Sequence, residues 1–436
     1  MKLSRYPSLI RIASGILLGW CLVVAVAGAA PLSLDALVST VLKQNPELEF
    51  YRAEIAVAKG ERRNSAALQN PELSAELGRK QVRSGGLSDE GLAWSVGVRQ
   101  TFEWPGRLSL RKAIANQQVQ LAELGLSQFQ SALGARARTL GFQLIAAREK
   151  ASAVHEVAER FQQLREVLVQ RDPAGLTPLL ETRIIEATEL TLHRRASEAA
   201  LAAQSALLEL NQLRGAAWED PIAMDSVQFS FAKPPGRDAL LAAARTNNFE
   251  LRMRQVELEQ QSFRVSLAQK DGHPSVTVGP YFSQEKAGDR ERQIGLSVSL
   301  PLPLWNRSKG NAQAASARQQ QAEVSLLVTQ RDVERRVVEA ALTYESKLTE
   351  MEKWRSDSVD EFRKAAELAD RHYRLGAVPI ATYVELQKEY LEAVEALLET
   401  KKEALDAVVT LEWMAGLPTS LVTASPLTKL TKEAKP

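Results

Sequence analysis

The stretch YRLGAVPIATYVE, residues 373–385, is one tight break between two helical runs. Gly376 and Pro379 sit three apart, and neither glycine nor proline occurs in 311–375 before them or in 380–415 after them. Glycine can take the left-handed conformation that ends a helix, and proline suits the first turn of the next. The stretch therefore predicts that one long helix reverses into an antiparallel partner. A similar break, DPAGLTPLLE at 172–181, places Gly175 and Pro178 about 200 residues earlier.

That recurrence belongs to a longer one. QNPELEFYRAEI from Gln44 aligns with NNFELRMRQVEL from Asn247, Pro71 with Pro274, and TFEWPGR (101–107) with PLPLWNR (301–307). Each match is weak alone, but all fall in the same order at nearly one offset, so the chain is a duplication. Each copy predicts a helix, two alternating segments, a very long helix, a break and a second helix.

The long segments resist an ordinary globular reading. A run of about 65 residues as α-helix makes a rod of roughly 100 Å, which calls for a coiled coil. Val337, Ala341, Tyr344, Leu348 and Met351 step by fours and threes. Val359, Phe362, Ala366, Ala369 and Tyr373 resume the stepping after a gap of eight. That gap is a stutter, expected to unwind the supercoil locally within one continuous helix over 311–375.

In the alternating segments Leu73, Ala75 and Leu77 interleave with Glu72, Ser74 and Glu76; Leu92, Trp94, Val96 and Val98 form a second apolar row. The second copy offers Val276 and Val278, then Ile294, Leu296, Val298 and Leu300. Period two predicts strands with one apolar face. Hairpins of a soluble sheet covered by helices fit the alternation equally well. Length favours the membrane, since segments of about ten residues match a tilted spanning strand. Trp94, Phe102, Trp104, Phe282 and Trp305 near the strand ends resemble an interfacial girdle. Four strands cannot close a barrel in lipid, whereas three copies supply twelve.

The first residues carry Lys2, Arg5 and Arg11, an apolar run over 16–26 and the small-residue signature Ala27-Gly28-Ala29. This reads as a cleaved export signal. Its removal takes three cations and no acid, leaving 52 basic against 53 acidic side chains, and takes Cys21, the only cysteine. Trp20 before Cys21 does not fit a lipoprotein signal. The mature chain thus has no thiol for disulfides, zinc or nucleophilic attack, and lacks the basic surplus of a nucleic-acid binder. His155, His193, His273 and His372 are scattered without metal-ligand spacing, and no phosphate cradle or nucleophile elbow occurs. An enzyme is not expected, nor a cofactor.

The duplicated order, RLGAVPIATYVELQKEYLEA at the break and LSVSLPLPLWNRSKGNAQAA from strand into helix, resemble the TolC family of outer-membrane efflux channels. QTFEWPGR (100–107) is most similar to the CzcC-like branch, which serves heavy-metal exporters of the resistance-nodulation-division (RND) type. The resemblance implies an α+β membrane protein with antiparallel helical hairpins and four transmembrane strands per chain. It implies a homotrimer whose twelve-strand barrel sits in outer-membrane lipid above a periplasmic helical tunnel. It further implies docking to a periplasmic adaptor and an inner-membrane RND pump. The divisions expected are a signal peptide (1–29), a first repeat (30–232; strands about 71–103, tip about 173–178), a second repeat (233–418; strands about 274–304, tip about 375–379) and an unstructured tail (419–436).

Adaptor contacts fall on Gly175, Leu176, Thr177, Pro178 and Leu179, and on Arg374, Leu375, Gly376, Ala377, Val378 and Pro379. In the family pattern acids after the tip glycine narrow the pore. Here Glu385 matches one, Thr382 replaces another, and Glu181 stands at the equivalent place in the first repeat. Acid rings bias pores toward cations, although both acids also suit a solvated helix face. The expected function is the exit duct of a tripartite efflux system exporting divalent heavy metals. A multidrug or type I secretion duct, or a periplasmic coiled-coil adaptor, are the alternatives.

Overall fold

The structure, a computed structural model, describes residues 32–84, 87–171, 179–224, 227–304, 308–354, 358–417 and 420–426. The expected signal segment, Trp305 and Gly175, Leu176, Thr177 and Pro178 lie outside these residues.

The first repeat runs α1 (Leu34–Gln44), α2 (Glu47–Ser65), β1 (Glu72–Ser84), β2 (Leu87–Phe102), α3 (Arg107–Arg171), α4 (Leu179–Leu213) and β3 (Val227–Phe231). The second runs α5 (Arg237–Asn247), α6 (Phe249–Lys270), β4 (Val276–Ala287), β5 (Asp289–Ser299), α7 (Lys309–Lys353), α8 (Ser358–Arg374), α9 (Ile380–Ala415) and β6 (Val422–Pro426).

The duplication is visible atom by atom. Asn45 and Asn248 are both buried between the paired short helices. Their side-chain amides donate to the last carbonyls of each returning helix, Asn45 to Leu213 O at 2.7 Å and Asn248 to Met414 O at 2.8 Å. Their side-chain oxygens cap the next helix, accepting from the Glu47 and Leu251 amides. Gly215 and Gly416, with φ of +63° and +60°, end the returning helices alike. At the entry to each long helix stands another positive φ, at Gly106 and Ser308.

Two expectations are corrected. The helix expected over 311–375 is interrupted: α7 ends at Lys353, and Trp354 is extended with φ −78° and ψ 110°. The break lies within the stutter between Met351 and Val359. Inserting four residues into the heptad shifts the apolar stripe around the helix, and here the backbone breaks instead of unwinding. Phe362, placed on the seam by its spacing, is accordingly 41% exposed. The tail is not wholly unstructured, since β6 pairs antiparallel with β3, Phe229 opposite Ala424. Glu412 accepts from the Leu421 amide and the Ser420 hydroxyl and so fixes the entry to that strand.

Strands β1, β2, β4 and β5 form one antiparallel sheet in that order, with β1 and β5 at its edges. They run 11–16 residues, longer than expected and enough to cross about 30 Å when tilted. One face carries Glu76, Lys80, Ser95, Tyr281, Ser283 and Glu285. Across it, Lys80 reaches Glu285 at 2.7 Å and Glu291 at 2.8 Å. The other face carries the apolar row. No helix covers it: Leu73, Leu77 and Ile294 are 75%, 78% and 82% exposed. That removes the soluble-sheet reading, since a bare apolar face of this extent requires a partner or lipid.

The helical cores sit elsewhere. One groups α1, α3 and α4 around Leu37, Leu140 and Leu210; a second groups α5, α7 and α9 around Val337, Tyr344 and Val408. A third lies toward the tips. Among the described residues no helix is long and apolar enough to cross a membrane. The sheet is the only described surface suited to lipid.

Gly279 lies where β2 and β4 approach closely, and a Cβ there would stand 2.0 Å from the Val98 carbonyl oxygen. Gly279→Val should therefore prevent outer-membrane accumulation, whereas Gly60→Ala, on open surface of α2, should accumulate normally. Immunoblotting of membrane fractions checks both.

Candidate functional site at the helical tips

The break between α8 and α9 is built by hydrogen bonds that only a positive φ permits. Gly376, with φ +74°, donates to Tyr373 O at 2.9 Å, and Ala377 donates to His372 O at 2.9 Å. This is the pair of closing bonds of a Schellman motif. Pro379 follows as N-cap in extended conformation, and its carbonyl accepts from Thr382 and Tyr383. Leu375 is 76% exposed at the apex, and Gly376, Ala377 and Pro379 are also exposed. Arg374 turns back to Asp370 at 2.9 Å. Of the first tip, only Leu179 falls within the described residues, as the first residue of α4.

Behind the apex, α8 and α9 are stitched to α3 and α4. Tyr383 is fully buried, stacked on Tyr373 at 5.4 Å and tilted against Phe161 at 5.1 Å. Tyr373 donates to Glu181 Oε2 at 3.3 Å. The Gln387 amide donates to Ala366 O at 2.8 Å, while its oxygen accepts from Arg160 at 3.1 Å. Arg160 also holds Glu156, which accepts from Tyr390 at 3.3 Å. Burial pushes the Tyr383 hydroxyl well above its ordinary range, aided by the Asp370 carboxylate. Burial, with Glu156 beside it, pushes Tyr390 up to about 12. Both rings are neutral at physiological pH, so the stitching acts through hydrogen bonds and packing.

A cavity of about 380 Å³ opens on this seam, lined by Val157, Ile184, Thr188, Leu192, Val384 and Leu391. The two acids expected at the pore are not brought together. Glu181 starts α4 and bonds Tyr373, whereas Glu385 is exposed on α9 with Lys388 at 3.8 Å. Tyr373 falls on the seam by its heptad spacing, whereas Arg160, Tyr383 and Gln387 do not follow from spacing. Their signal was a pair of tyrosines flanking a helix break; the partners are too distant in sequence to be read from it.

Residues 240–417 match the family described as Outer membrane efflux protein. The family match spans α5 to the end of α9, the second repeat with its tip. Over 323 residues the chain is 23% identical to the cobalt-zinc-cadmium resistance protein CzcC of Cupriavidus metallidurans, covering 72% of this chain and 73% of that one. Its fold is that of the Campylobacter jejuni CmeC outer membrane channel, with TM-score 0.70, 16% identity and coverage of 88% and 85%. The open state of the Neisseria gonorrhoeae MtrE outer membrane channel gives 0.68, at 18% identity and 88% of both chains. The chain thus has a TolC-like fold.

Two measurements test the seam. Gln387→Leu strips a buried bond from Arg160 and another from Ala366 O, and should cost about 1–3 kcal/mol, read as a lowered midpoint in thermal unfolding. Tyr390 titrates near 10 when unfolded and at about 12 when folded. Its contribution is thus constant below about pH 10 and is lost between pH 10 and about 12. Unfolding midpoints should fall across that window, and less steeply in Tyr390→Phe.

Proposed function

We propose that the protein is the passive exit duct of a tripartite efflux system, working as a homotrimer. The observation that carries this reading is the four-stranded sheet with a bare apolar face and two open edges, followed in each repeat by a long helix, of 65 residues in the first and 45 in the second. Three chains supply twelve strands, an even number able to close, and their rods enclose the path across the periplasm. The chain itself does no chemistry; an inner-membrane RND pump supplies the energy.

The apex is the docking site for a periplasmic adaptor. Leu375, Gly376, Ala377, Val378 and Pro379, with Arg374 behind them, form the second-repeat contact, and Gly175, Leu176, Thr177, Pro178 and Leu179 the first. An exposed leucine on a tight turn suits packing against a partner helix, and the apolar cavity between the hairpins extends that surface. Glu181 and Glu385 narrow the periplasmic end and bias it toward cations. The cargo is divalent heavy-metal cations, a reading supported by the similarity to a cobalt-zinc-cadmium resistance protein.

Gly376→Asp should leave trimers assembled, because a Cβ there meets nothing within 4 Å, but should abolish export by straining the positive φ and charging the apex. Normal resistance at unchanged protein level contradicts the docking role. A deletion strain should become sensitive to cobalt, zinc or cadmium. Unchanged metal tolerance with new sensitivity to antibiotics would contradict the cargo assignment while leaving the duct intact.

A further inference from the structure

At the hairpin end of the sheet the charges are sorted by face. Strand β1 ends at Ser84 and β4 at Ala287, and both turn back there, whereas the helices enter and leave the sheet at its other end. Around the second turn the chain reads EKAGDRER, residues 285–292. Glu285 pairs with Glu291 on the polar face of Tyr281 and Ser283, and Asp289 keeps the same parity. Lys286, Arg290 and Arg292 fall on the opposite face, in line with Phe282 and Ile294 of the apolar row. Lys80 draws Glu285 and Glu291 together on the polar face, so these acids are turned away from the outward cations. Arg79 and Arg83 of β1 also share the parity of the apolar Leu77. A solvated turn gains nothing from dividing its signs between faces in this way.

The outward cations are exposed and short of partners. Arg79 meets Glu90 at 3.4 Å, but among the described residues Arg83, Lys286, Arg290 and Arg292 form no ion pair. Lys286 and Arg290 lie directly opposite each other, and like charges so placed are destabilising unless an anion joins them. Height on the sheet says which anion. Ile294 to Leu300, the apolar run of β5, covers about 20 Å of strand, close to the apolar band of about 25 Å in membrane barrels. Arg292 stands just beyond it, in one cross-strand row with Gln284 and Trp94, and tryptophan marks the edge of such a band. The cations are therefore level with lipid headgroups, at the rim farthest from the helices. We propose that Lys286, Arg290 and Arg292 bind the phosphates of a phosphorylated glycolipid, lipopolysaccharide, in the outer leaflet. Arginine meets phosphate through paired, charge-assisted hydrogen bonds, and a phosphate between Lys286 and Arg290 turns their repulsion into two attractions. This inference rests on the outer-membrane reading and names the lipid held at the barrel's rim.

Native mass spectrometry of the full protein in detergent tests this, with bisphosphorylated lipid A, its dephosphorylated form and inorganic pyrophosphate as probes. Lipid A should bind, and the dephosphorylated lipid should bind several-fold less. Lys286→Gln with Arg290→Gln and Arg292→Gln should lower lipid A binding several-fold, whereas Lys80→Gln, which removes a cation from the polar face, should leave it unchanged. Should the triple variant not accumulate, the three single substitutions are read in its place, each with a smaller loss. Equal binding by the altered and unaltered proteins, or of the two lipids, overturns the site. Displacement of lipid A by pyrophosphate at equal concentration would make it a site for free phosphate and overturns the lipid assignment. If the unaltered protein binds no lipid A yet is recovered from outer membranes, the site alone fails. Recovery in the water-soluble periplasmic extract would bring down the outer-membrane reading with it.

Discussion

In hydrocarbon every backbone amide and carbonyl must find a partner, and that constraint governs this structure. Each unpaired group costs several kcal/mol. Strand β1 of 13 residues and β5 of 11 each present one unpaired edge. Leaving both open in lipid would cost tens of kcal/mol, against a typical net folding stability of about 5–15 kcal/mol. The sheet cannot relieve this by burying itself in water, because its outer face bears leucine, valine and isoleucine that no helix covers. Nor can four strands curl far enough to close alone. Assembly is thus a condition for the strands to exist where their side chains place them.

The duplication meets this condition economically. One helix–hairpin–helix unit, written twice, repeats its junctions down to hydrogen bonds: an asparagine tying each short-helix pair to the returning helix, a left-handed glycine after it, and a positive φ where strand becomes rod. The copies also diverge. The first long helix runs unbroken for 65 residues, whereas its counterpart breaks at Trp354. The second hairpin therefore has a separate lower segment, α8, held to the first hairpin by Tyr373, Arg160 and Gln387. The segment carrying the apex thus packs on its neighbours through these side chains.

Much of this was legible in the sequence because it rests on local rules. Alternation set the strands and their apolar face; Gly376 and Pro379 set the reversal. The rest depends on partners far along the chain. Strand β6 is five residues whose reason to be ordered is β3, nearly 200 positions earlier. The gap between Met351 and Val359 was visible, but whether a stutter unwinds or breaks a helix depends on what packs beside it. Gln387 looks like any polar helix residue until Arg160 and the Ala366 carbonyl surround it. Glu181 and Glu385 follow from position relative to a glycine, a rule blind to Tyr373, which occupies one of them.

The central claim is that β1 and β5, open in one chain, are paired in the membrane. Amide hydrogen exchange of the protein in lipid bilayers reads this directly. The account predicts that edge amides of β1 and β5 are protected as long as those of β2 and β4. Rapid exchange confined to the two edge strands, or a protein found as a water-soluble single chain, would contradict it.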